Sequence, residues 1–159
     1  MNMHGTSRRE ALKTGGTMAV FALFAAAGLI SPREARASWN QAAFGAKGVD
    51  NVVKSLGGAS AAPTTAVSWG STPEIAENGA VVPISVTSNL PKTESISILV
   101  EKNPNSLAAS FTIPSGTDPT VTTRVKMGET SQVHALVRAD GRYFVATREV
   151  KVTLGGCGG

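Results

Sequence analysis

Residues 63–154 are predicted to form a mainly β domain, an immunoglobulin-like antiparallel β-sandwich preceded by a short N-terminal helix. Three observations carry this expectation. After Pro63 the apolar period changes from helical to alternating. Turn chemistry recurs every eight to twelve residues or so, as sandwiches require. No helical period returns before the end of the chain.

The elements are read in chain order. Ser7-Arg8-Arg9 with Lys13, then the apolar run Met18 to Ile30, then Ala35-Arg36-Ala37, has the layout of a secretory signal. The paired arginines point to the twin-arginine route. The run of about thirteen residues falls short of the roughly eighteen to twenty a membrane-spanning helix needs, so cleavage near Ala37 is expected rather than anchoring. No membrane association is expected after cleavage. Residues 1–37 are therefore set apart as the signal.

Residues 38–62 are expected to form a helix and a linker. Val49, Val52, Val53 and Leu56 follow the i, i+3, i+4, i+7 spacing of one apolar helix face. Gly57-Gly58 ends it, and Ala59 to Pro63 is small and proline-bearing, as in a linker. Strands are expected at Thr65 to Gly70, Ala80 to Thr87, Ser95 to Val100, Leu107 to Ile113, Val121 to Met127, Gln132 to Arg138 and Arg142 to Leu154. Pro83 inside a strand implies an edge position or a bulge, because proline cannot donate to a ladder. Asp140-Gly141 between two alternating runs signals a tight hairpin. The last strand alternates through Val150, Val152 and Leu154 and runs directly into residues 155–159, Gly-Gly-Cys-Gly-Gly.

Charge narrows the function classes. The chain carries 15 Lys and Arg against 11 Asp and Glu, but five of those cations and only two of the carboxylates lie in residues 1–37. The domain itself is nearly neutral and lacks the basic face that nucleic-acid binding needs. Mature His residues reduce to His134, and Cys157 is the only cysteine. That leaves no histidine or cysteine cluster for a metal, no C-x-x-C redox pair and no expected cofactor. His134 lies in an alternating strand and is expected to be an outward polar residue. Glu74 and Glu77 are expected in a solvated turn, and Arg124 and Lys126 on one charged strand face. Trp39 and Trp69 are expected to pack rather than to form a binding platform.

Cys157 stands apart. Gly155, Gly156, Gly158 and Gly159 frame it without side chains, giving a thin, flexible arm on which close approach to the thiol is unobstructed. Three residues separate it from Leu154, about 10 Å if extended. A lone thiol cannot form an internal disulfide, and its chemistry is that of nucleophilic sulfur. With no cation in the arm to favour the thiolate, activation is expected to come from partner enzymes. Two other uses fit the residues: an intermolecular disulfide on a structural or binding sandwich, and a thiocarboxylate at Gly159. The secretory signal opposes the latter, which needs cytoplasmic activation.

The terminal GGCGG, the twin-arginine signal, and the stretches from Pro73 to Pro83 and from Val100 to Asn105 resemble the SoxY family of sulfur carriers, over about Phe44 to Gly159. The resemblance implies a non-catalytic periplasmic protein that holds sulfur intermediates of thiosulfate oxidation on Cys157. It implies a heterodimer with SoxZ, and transient complexes with the haem-containing SoxAX, the metal-dependent hydrolase SoxB and a sulfane dehydrogenase. Ala11 departs from the phenylalanine often found after the arginine pair.

Overall fold

The computed structural model describes residues 40–154. The expected signal, Trp39 and residues 155–159 lie outside the described residues.

Two short helices precede the strands where one was expected. The first, α1 (Gln41–Gly45), is capped by Asn40, whose side chain accepts from the Ala43 N–H at 3.0 Å. The second, α2 (Val49–Ser55), carries the expected apolar face: Val52 and Val53 are fully buried, and Val49 and Leu56 pack beside them. Its C-terminus closes as the glycine pair foretold. Gly57 adopts φ 86°, its N–H donates to the Lys54 carbonyl, and the Gly58 N–H donates to the Val53 carbonyl. These two reversed bonds form a Schellman motif.

Nine strands follow among the described residues: β1 (Ala61–Pro63), β2 (Val67–Trp69), β3 (Ile75–Asn78), β4 (Val82–Ser88), β5 (Thr93–Val100), β6 (Leu107–Thr112), β7 (Thr120–Val125), β8 (Ser131–Ala139) and β9 (Arg142–Leu154). One sheet runs β1-β9-β8-β5-β6 with β3 also on β9; the other runs β2-β4-β7. The sandwich and all seven expected strands are present. Two expectations need correction. Ala61 to Pro63, read as linker, forms β1, and Ile75 to Asn78, read as turn, forms β3. Both pair parallel to β9, so the sheet is mixed rather than purely antiparallel.

Alternation explains how the layers form. Ile96, Ile98 and Val100 of β5 and Val133, Ala135 and Val137 of β8 face the small sheet, meeting Val82, Ile84 and Val86 of β4 in one core. The intervening residues Leu99, Leu136 and Tyr143 face the other way and are covered by Ala43, Val52 and Val53 of the helices. The result is three layers, helices on sheet on sheet. This arrangement accounts for β5, which is buried on both faces from Ile96 to Val100.

The turns behave as their residues require. Asp140 (φ 49°) and Gly141 (φ 73°) form a two-residue hairpin between β8 and β9, both in the left-handed region that such turns demand. Pro83 pairs with Arg124 on β7, whereas β2 reaches only as far as Val86 along the other side of β4. It thus sits where β4 has no strand neighbour on its β2 side, a local edge, as expected for proline.

Candidate functional site

The candidate site is the end of β9, from which residues 155–159 continue. Val150 is fully buried, Val152 is partly buried against the core, and Leu154 is 70% exposed. The strand therefore leaves the sandwich over its last five residues. It does not leave unsupported.

β3 runs parallel to it, with Ile75 opposite Lys151, Ala76 opposite Val152 and Asn78 opposite Leu154. The Lys151 N–H donates to the Glu74 carbonyl at 2.9 Å, and the Thr153 hydroxyl donates to the Glu77 carbonyl at 2.9 Å. The Val152 N–H donates to Thr130 Oγ1 on the opposite side, also at 2.9 Å. Finally the Leu154 carbonyl accepts from the Gly79 N–H at 2.8 Å, and the Gly79 carbonyl accepts from Met127, which is fully buried. Backbone polar groups leaving a fold must find partners or water. Here β3 and Gly79 hold one side of the strand up to Leu154 and Thr130 holds the other at Val152, so the strand is anchored to its last described residue.

The side chains singled out from sequence are dispersed. Glu74 sits exposed in the bend before β3 and pairs with Arg148 at 3.3 Å, whereas Glu77, also exposed, lies within β3 rather than in the solvated turn expected of it. Arg124 and Lys126 are exposed at the end of β7, as expected. Trp69 packs against the core. His134 does face away from the sandwich interior, but its side chain is only 13% exposed. Its Nδ1 lies 2.8 Å from Thr147 Oγ1, and Nε2 lies 3.8 Å from a Glu101 carboxylate oxygen. Burial holds its pKa below the usual 6.5, and the neighbouring Glu101 offsets only part of that.

Among the described residues no group of three or more His, Cys, Asp or Glu could hold a metal ion, and no helix is long and apolar enough to cross a membrane. No buried side-chain polar atom lacks a partner among them. Cys157 and the four glycines around it lie outside the described residues. Sequence reasoning missed β3 as the support of the strand end. The signal was faint: four residues, Ile-Ala-Glu-Asn, with one apolar alternation.

Two facing sheets with a helical cap, and a last strand anchored as far as Leu154, define a β-sandwich domain whose final strand is fixed at its end. The family model described as sulfur oxidation protein SoxY matches residues 54–157. The chain belongs to the SoxY family. Among solved structures it is similar to the sulfur carrier protein SoxY from Chlorobium limicola f thiosulfatophilum, at 36% identity and a TM-score of 0.59, covering 66% of this chain and 94% of that one. A lytic polysaccharide monooxygenase from Jonesia denitrificans matches at 12% identity and a TM-score of 0.34, covering 59% of this chain and 58% of that one, too remote to bear on function. No curated protein matches.

Proposed function

We propose that this protein is a periplasmic sulfur carrier that holds intermediates of thiosulfate oxidation covalently on Cys157 and presents them to partner enzymes. The single observation behind the reading is that the SoxY family match extends to residue 157, the only cysteine in the chain. The anchored end of β9 supports it, because a handle must start from a rigid point to be presented in a defined direction. Gly155 and Gly156 then supply a narrow approach, and Gly158 and Gly159 add no side chain beyond the sulfur.

The chemistry divides between carrier and partners. In loading, the Cys157 thiol and thiosulfate join through a new S–S bond, releasing one proton and two electrons to a haem-containing coupling enzyme. The product is a cysteine S-thiosulfonate. In unloading, water attacks the terminal sulfonate sulfur, the S–S bond to it breaks, and sulfate leaves while a persulfide stays on Cys157. The hydrolase supplies that water activation and the carrier supplies position. By the family resemblance these partners are SoxAX and SoxB, with SoxZ as the heterodimer partner and a sulfane dehydrogenase acting on the residual sulfur. Export by the twin-arginine route follows from the arginine pair and apolar run of residues 1–37.

The test is Cys157→Ser in the reconstituted pathway. Loss of thiosulfate-dependent electron transfer, with far-UV dichroism and SoxZ binding unchanged, is the expected result. Retained electron transfer would remove the carrier reading. A stable disulfide-linked dimer carrying no labile sulfur would favour the structural alternative.

A further inference from the structure

The Ile113 N–H donates to the Glu94 carbonyl, so the odd-numbered residues Ala109, Phe111 and Ile113 turn their backbone groups toward β5. Ser110 and Thr112 turn theirs outward. β6 ends the large sheet, and among the described residues nothing bonds the backbone N–H or C=O of either. Both residues are exposed. Natural sheets guard an open edge with charge, proline or a bulge. The edge strand β7 carries Arg124 and is flanked by Asp118 and Lys126, whereas from Asn103 to Thr117 the chain has no charged residue. β6 is guarded only at its ends, by the register shift between Ile98 and Leu99, which leaves Ala108 without a partner on β5, and by Pro114. An open, uncharged stretch from Ala109 to Ile113 remains between them.

We propose that this edge pairs with the same edge of a second copy of the chain, β6 against β6, antiparallel about a two-fold axis through Phe111. Symmetry selects the occupant, because the stretch is complementary to itself. With Phe111 on the axis, Ser110 lies opposite Thr112 of the second copy and Thr112 opposite its Ser110, and each pair exchanges both outward bonds. Every free backbone group of Ser110 and Thr112 is then answered. The two Phe111 rings, each partly buried against its own core, meet as a non-hydrogen-bonded cross-strand pair, where side chains lie closest. Ala109 faces Ile113, small against large, and no like charges oppose each other. The two large sheets become one. The inference goes beyond the carrier reading and does not depend on it, since it uses no residue of the arm or of the strand that leads to it.

The experiment follows the full-length protein under reductant, so that no disulfide through Cys157 contributes, by sedimentation velocity and amide hydrogen exchange over a dilution series. The expected result is a reversible dimer in which the Ser110 and Thr112 amides are protected when concentrated and exchange freely when dilute. The Phe111 and Ile113 amides, which face β5, stay protected throughout. Ser110→Pro removes an outward donor and none from the β5 ladder, and is expected to weaken the dimer about tenfold or more. Thr112→Lys keeps its backbone donor but places a charge on the edge, and weakens the dimer as well with the far-UV dichroism unchanged. A chain that stays monomeric, a dimer that both variants leave intact, or Ser110 and Thr112 amides that exchange freely within the dimer overturns the proposal. So does protection of these amides only on adding a different protein, since the edge would then belong to that partner.

Discussion

Gly58 shows how one residue can tie a helix to a sheet. A Cβ built there would lie 2.5 Å from the Tyr143 ring and 2.7 Å from Val53 Cγ1, closer than real contacts allow. The Tyr143 hydroxyl meanwhile donates to the Leu56 carbonyl at 2.9 Å, closing the end of α2 onto β9. The ring is held at its tip and so cannot swing away cheaply. Gly58→Ala is expected to destabilise the fold by about 1–3 kcal/mol through overpacking, read as a lowered urea midpoint with unchanged m. Gly57→Ala would also strain the chain, but through its positive φ rather than through contact, since nothing lies within 4 Å of it. Asp140-Gly141 is the opposite case, a turn whose geometry was plain from two letters of sequence.

At the scale of elements, β9 organises the domain. Of its thirteen residues, Arg142 to Val150 pair with β8, and its other edge holds β1 at Tyr143 to Val145 and β3 at Lys151 to Leu154. The long strands were legible because each carries branched residues at alternate positions, and that period directly reports a buried face. β1 and β3 were not. Ala-Ala-Pro has low strand propensity, and Ile-Ala-Glu-Asn runs into a turn sequence; both become strands because the edge of β9 offers them unpaired backbone groups. The first helix was missed for a related reason, since five residues are too few to display a period. The candidate site divides similarly. The cysteine and its glycines are visible in sequence, whereas the support beneath them depends on β3, a tertiary event. If β3 fixes the strand end, Ala76→Pro, which removes a ladder donor, should raise hydrogen exchange at Lys151 to Leu154 while leaving Val133 to Val137 protected. Equal loss in both segments would show that the end of β9 is not an independently supported unit.

For the whole molecule, stability and function reside in different parts. The three layers account for folding, and the chemistry proposed here lies beyond Leu154. One group links the fold to pH. His134 is held neutral by burial, so the folded protein binds fewer protons there than the unfolded chain. Its contribution is therefore complete above the unfolded value of 6.5 and is lost as pH falls from there toward the lowered folded value. Replacing it by His134→Gln should flatten the fall in melting temperature between about pH 7 and pH 5. Parallel wild-type and variant profiles would contradict that assignment.

The central claim is that sulfur travels on Cys157. It is tested most directly by intact and peptide mass spectrometry of the protein isolated during thiosulfate turnover, before and after reductant. The account requires a reductant-labile thiosulfonate or persulfide adduct confined to the peptide carrying Cys157. An unmodified Cys157 under turnover, or an adduct mapped to any other residue, would contradict it.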